Sequence, residues 1–198
     1  DSHWPIGDNG SLYSNLWPPT MSNTIDPIRT FEGKRPALGK RVYVDQSAVV
    51  IGDVSVGDDS SVWPQDAVRG DMHTIKIGQR TSIQDGCVLH ITHAGPYNEP
   101  GWPLTIGDDV IVGHRVILHG CHIGNQVLIG NGAIVMDGAV IEDNVVVAAN
   151  TLVPPGKHLS SGNLYLGSPC AKKRSLTQSE MDFFLYSAAN YVALKDRY

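Results

Sequence analysis

The strongest constraint on this chain is a beat of six. Ile, Val or Leu recurs every sixth residue at Ile123, Ile129, Val135, Ile141, Val147 and Val153, and the first two of these are followed by Gly. The same beat runs earlier through Val56, Val62 and Val68, through Ile77, Ile83 and Leu89, and through Ile106, Val112 and Leu118. A period of six fits neither the helix period of 3.6 nor a simple hairpin ladder. It predicts an all-β fold, a parallel β-helix of hexapeptides in which three hexads close one triangular coil of eighteen residues. Successive coils then stack at roughly 4.8 Å, the spacing of strands in a sheet. A β-sandwich of many short strands does not explain the fixed phase over the six consecutive hexads from Ile123 to Val153.

In such a prism the aliphatic residue of each hexad points inward. Small or β-branched residues four places later (Val110, Val116, Val127, Ala133, Ala139, Val145 and Thr151) fit the cramped corners, and Gly, Asn and Asp allow the bends. Residues 44–156 are expected to form about six coils, which bury a continuous core without a second domain. Residues 21–43 read as a lead-in and 157–176 as a connecting loop, with the turn Gly167-Ser168-Pro169 before a helix. Thr177 and Glu180 form a capping-box pattern. Met181, Phe184, Leu185, Ala188 and Val192 follow at helical spacing, so a helix over 177–198 is expected to pack along the prism. Residues 1–20, rich in Pro, Gly, Ser and Asn and without period, read as an expression leader before Met21; a natural flexible arm is the alternative.

Charged residues are 18% and the net charge is −5, which argues against a nucleic-acid footprint. No stretch has the apolar length of a membrane span and no secretory signal is visible, so a cytoplasmic location is the default expectation. Cys87, Cys121 and Cys170 have no CxxC spacing, and neither a disulfide framework nor a thiolate zinc site follows from them. Cys87 falls at a corner-interior place and reads as a small buried residue.

The histidines carry the chemistry. Leu89 and Leu118 are 29 residues apart, one coil of 18 plus 11 more, and the excess is the Gly/Pro-rich stretch around residues 94–101. His90 and His119 therefore occupy the same place on successive rungs and can share one zinc ion. His114 lies five residues before His119, about 16 Å away along an extended strand, near the neighbouring corner. A third ligand must then come from another copy, which predicts a homotrimer with metal sites at its interfaces. The same arithmetic puts Arg69 below His90, and Asp85 below His114 with Gln84 beside it. Arg69 and Asp85 are then expected to face each other across the interface. For Arg69, Asp71 and Asp85, an interface salt bridge and a direct catalytic role both stay open. His73, His93 and His122 fit no place in the columns and read as surface residues. His93, at the mouth of the inserted loop, is the reserve candidate for a proton relay.

These residues match a known family. Arg69-Gly70-Asp71, Gln84-Asp85-Gly86, Leu89-His90 and Gly113-His114-Arg115-Val116-Ile117-Leu118-His119-Gly120 together resemble the γ-class carbonic anhydrases, in the short bacterial YrdA-like form. The resemblance covers most of residues 25–198, including Tyr186-Ser187-Ala188-Ala189-Asn190-Tyr191. It implies a left-handed β-helix trimer binding zinc, or iron in some members, through His90 and His119 of one subunit and His114 of its neighbour. It further implies that Gln84 bonds the metal-bound solvent, that Arg69, Asp71 and Asp85 organise the interface, and that Tyr191 reaches the pocket. The implied reaction is that of a carbonic anhydrase-like lyase, metal-bound hydroxide attacking carbon dioxide to give bicarbonate.

Two positions depart from the most active members, Met72 where they carry Glu and Ser82 where they carry Asn. Within the loop around residues 94–101 only Glu99 is a carboxylate, which points to weak activity. Other functions stay open: a non-catalytic trimer stabilised by zinc, a hydrolase of another small carbonyl or ester, and an acyltransferase of the kind this fold also hosts.

Overall fold

The computed structural model describes residues 26–198; the expectations for residues 1–20 and for Met21 lie outside them. The chain winds into a parallel β-helix with three faces and one helix against it. Two of the strands, Val49–Val56 and Ala67–Ile77, run round a corner and so join two faces into one sheet of twelve strands, while the third face is a sheet of eight.

Registry follows the aliphatic beat. On the first face Val50, Val68, Leu89, Leu118, Val135 and Val153 stand one above another. The second face stacks Val56, Ile77, Ile106, Ile123, Ile141 and Leu159. The third stacks Val44, Val62, Ile83, Val112, Ile129, Val147 and Tyr165. All but Val44 in these columns are buried. Each fully buried Val, Leu or Ile is worth roughly 1.5–3 kcal/mol. Many rungs are only two residues long, so this column packing, rather than strand length, holds the coils. The seven corner-interior residues from Val110 to Thr151 are buried as well, as is Cys87.

The ladder runs further than the repeat suggests. Ile28–Arg29 and Ala37–Leu38, which lie in the expected lead-in, already pair in parallel with a later strand, and Tyr43–Val44 at its end does the same. His158–Leu159 and Asn163–Gly167 continue the ladder through the expected connecting loop. Tyr165 stands where the beat requires an aliphatic residue, which hides the last rung. Gly167-Ser168-Pro169 does not lead into the helix; it turns Asn163–Gly167 back into the antiparallel strand Cys170–Ser175. That strand carries exposed Lys172, Lys173 and Arg174 on the end of the sheet, charges of the kind that discourage edge pairing.

Several corners also depart from the expected Gly, Asn and Asp. Arg41, Gln65, Arg80, Arg115 and Gln126 all take positive φ. Their long side chains reach out of the turn, and Arg41 and Arg80 recover an ion pair with Asp59 and Asp109 on a neighbouring coil.

The helix spans Gln178–Lys195 and starts with the reciprocal Thr177/Glu180 capping box. It lies against the third face, over Ser61–Val62 and Ile111–Val112. Phe184, Ser187, Ala188 and Lys195 are buried there, whereas Leu185 is exposed, contrary to its place in the helical pattern. Among the described residues no helix is long and apolar enough to cross a membrane.

One buried acid sits in the corner between the third and first faces. Asp66 accepts from the Trp63 N–H at 3.0 Å and the Cys87 N–H at 2.7 Å. Burial outweighs these bonds and pushes its carboxyl up from 3.8 to about 8. The folded chain therefore holds a proton that the unfolded chain has released between those values, so this group's contribution to stability falls as pH rises through that window. Melting curves from pH 4 to 8 should show that Asp66→Asn removes part of the downward slope seen in the parent chain.

Candidate metal centre

His90 and His119 are register partners on adjacent rungs, Val88–His90 and Ile117–His119. Leu89 and Leu118 point into the core, so strand alternation turns both histidines outward at one edge of the first face. The His90 Nδ1 lies 3.2 Å from the His119 Nε2.

The far nitrogens are each held by a carboxylate. His90 Nε2 meets Asp71 Oδ1 at 3.1 Å, and His119 Nδ1 meets Asp137 Oδ1 at 2.8 Å. An ionised carboxylate only accepts, so each far nitrogen carries the ring proton and each near nitrogen of a neutral ring presents a lone pair. Burial drives the His90 ring below its ordinary pKa against the pull of Asp71, which favours the neutral ring. Two facing lone pairs repel unless a cation lies between them. Nitrogen ligands at 2.0–2.1 Å from a tetrahedral zinc are about 3.3–3.4 Å apart, close to the separation seen here. The donor set fits a zinc-like dication.

His114 is at the opposite edge of the same face, with its side chain 51% exposed and its Nδ1 3.0 Å from Asp85 Oδ2. Two of the three histidines, His90 and His119, thus have a hydrogen-bonded carboxylate fixing the tautomer, the usual support of a metal-binding imidazole, while Asp85 lies close to His114. Among the described residues no three His, Cys, Asp or Glu side chains of one chain converge on a metal position. The structure brings His90, His119 and Asp71 together and leaves His114 with Asp85 apart from them.

Asp71 also forms an ion pair with Arg69. Burial works to raise its carboxyl, but the Arg69 guanidinium and the His90 ring outweigh burial and hold it below the ordinary value. Beside Asp71 opens a cavity of about 570 Å³, lined by Met72 and His73 and by Glu32, Lys34 and Asp53. His93 is exposed on the inserted loop, and among the described residues no hydrogen bond joins it to the histidine pair.

Gln84 is buried beside the helix residue Tyr191. Burial raises the Tyr191 phenol, with the Gln84 side chain opposing. Trp63 meets Tyr191 edge-on at 6.4 Å and donates its Nε1–H to the hydroxyls of Ser61 and Ser82 at 2.9 and 3.0 Å. Ser82 is thus engaged in holding the Trp63 ring against Tyr191. Asp137 escaped the sequence reading, yet the arithmetic could have found it: it lies 18 residues, one coil, after His119.

Arg69→Ala should return the Asp71 carboxyl toward the ordinary range, read as an upward shift in its carboxyl ¹³C titration; an unchanged midpoint would assign the depression to His90 alone.

The chain's likeness to known proteins runs the same way. The family description for bacterial transferase hexapeptide repeats (six repeats) matches residues 120–155. Protein YrdA of Escherichia coli is 56% identical over 173 residues, 87% of this chain and 94% of that protein. A Methanocaldococcus jannaschii protein named "Probable carbonic anhydrase" is 42% identical over 159 residues, 80% of this chain and 96% of its own length. A crystal structure of a hexapeptide transferase family protein from Anaplasma phagocytophilum superposes with a TM-score of 0.80 at 36% identity, covering 86% of this chain and 97% of that one.

Proposed function

The chain belongs to the γ-class carbonic anhydrase-like family of hexapeptide-repeat proteins, in its YrdA-like branch, and from that premise we propose that it is a trimeric metalloenzyme hydrating carbon dioxide to bicarbonate. The observation that carries this reading is the pair of imidazole lone pairs, 3.2 Å apart and fixed from behind by Asp71 and Asp137.

The proposal needs a third imidazole from outside the chain. The outward residues of the first face supply a reason for one to be there: Val88 and Ile117 are 42% and 37% exposed, and Val49, Ile134 and Leu152 are half-buried in the same outward column. By contrast, the helix covers the third face, and the second face turns Lys76, Thr105, His122 and His158 outward. A bare aliphatic stripe between the His114 edge and the His90/His119 edge favours burial against a second copy. Threefold closure then sets His114 of each subunit against the histidine pair of the next.

Within that assembly His90, His119 and a neighbouring chain's His114 would hold zinc, with iron as the other candidate. When bound, a dication among neutral imidazoles supplies a water acidic enough to ionise near neutral pH. Gln84 would orient that solvent by hydrogen bonding, and Tyr191, whose phenol is raised by burial, would donate toward the pocket. Arg69 and Asp85, both half-exposed at the edges of the first face, are available to pair between subunits. Met72 offers no proton-accepting group beside Asp71, which supports a modest turnover.

Stopped-flow carbon dioxide hydration on protein of known metal content tests the reaction, and a mixing experiment tests the shared site. His114→Ala and His90→Ala chains should each be inactive, while random co-assembly of equal amounts restores one intact site in most trimers, about a quarter of all sites. No recovery on mixing would overturn the shared centre. A metallated wild type without hydration would keep the centre and move the function to a structural role or another substrate.

A further inference from the structure

We propose that the inserted loop is part of the metal-positioning apparatus: Asp137 positions His119, and Thr92 and Trp102, at the two ends of the loop, hold Asp137 in place. The inference rests on His119 being a metal ligand.

The base of the loop is closed by a two-residue antiparallel bridge. Thr92 N–H donates to Trp102 O at 3.1 Å, and Trp102 N–H donates to Thr92 O at 2.9 Å. From one side of this bridge the Thr92 hydroxyl donates to Asp137 Oδ1 at 3.1 Å, the same oxygen that meets His119 Nδ1 at 2.8 Å. From the other side Trp102 lies over two glycines of the column next to these residues. A Cβ on Gly120 would come within 2.7 Å of the Trp102 Cβ, and one on Gly138 within 3.0 Å of the indole. Gly120 directly follows His119 and Gly138 directly follows Asp137, and the Gly138 N–H donates to Gly120 O at 2.8 Å.

The loop therefore reaches the rungs of His119 and Asp137 twice, once by a hydrogen bond and once by close packing on backbone. A hydroxyl donating to Oδ1 orients the carboxylate plane, and the carboxylate in turn selects the His119 tautomer with Nε2 unprotonated. With Trp102 removed, the bridge loses its clamp on Gly138 and Thr92 is free to leave Asp137. Trp102 and Thr92 touch neither imidazole, so they act through Asp137 and are positioning residues.

Two readouts test this on the intact protein: zinc affinity by competition with a chromophoric chelator, and the His119 tautomer in metal-free protein by long-range ¹H–¹⁵N correlation. Asp137→Asn should weaken zinc binding about ten- to a hundredfold, and Thr92→Val and Trp102→Ala should each weaken it several-fold. In all three the Nδ1–H form of His119 should lose its dominance, and Thr92→Ser should restore both readouts. Thr92→Val and Trp102→Ala chains with wild-type zinc affinity and an unchanged tautomer would overturn the role of the loop. An unchanged tautomer in Asp137→Asn would overturn that of Asp137. If the wild type takes up no zinc, the proposed function fails, and the tautomer of the metal-free protein still decides the positioning roles.

Discussion

Every side chain at the centre is placed by the hydrogen-bonded register between coils. In a parallel ladder a slip by one residue would turn each outward side chain into the core. The buried aliphatic columns forbid that slip. Leu89 under Leu118 obliges His90 to sit under His119, and the two rings meet at 3.2 Å because the rungs cannot separate. The pairing of the two imidazoles is thus a by-product of core packing one residue away.

The same rigidity explains the three carboxylates. An imidazole on a stiff strand still has a free tautomer and a rotatable ring, and a metal site built from it loses affinity to both freedoms. Asp71 and Asp137 remove them for His90 and His119 by taking the nitrogen that faces away, and Asp85 stands 3.0 Å from the His114 ring. Two of these partners lie one coil from their histidines, Asp85 before His114 and Asp137 after His119, so the solenoid uses its own repeat to supply support at the right height.

Column arithmetic on the beat of six made much of this legible. It places His90 on His119 and Asp85 on His114, and both pairings occur. It fails where the beat is masked: Tyr165 in place of an aliphatic residue hides the final rung, and the early strands from Ile28 to Val44 are too short and interrupted to show a period. Contacts made by the loop, such as Thr92 on Asp137, were illegible for a different reason. An insertion has no phase, and its reach over neighbouring coils depends on turn geometry that spacing does not encode. The helix shows the same limit, since Leu185 fits the apolar pattern but faces outward once the third face selects Phe184 and Ala188 instead.

A triangular prism with a filled core is convex, and that shape decides where a centre of this kind can form. Its outward side chains diverge from edge to edge, so a single chain can bring together ligands only along one column. A column offers two imidazoles on adjacent rungs, while a hydrolytic metal needs three protein donors and an open position. A third donor on the same column would complete the set but would line all the ligands up on one side, leaving the opposite side to bulk water. A donor from a second convex body closes the far side and creates a cleft that neither body has alone. The bare stripe of Val88 and Ile117 lies between the two edges that such an arrangement must bring together. In the proposed trimer the demand for a concave site and the demand to bury an apolar face would have the same solution.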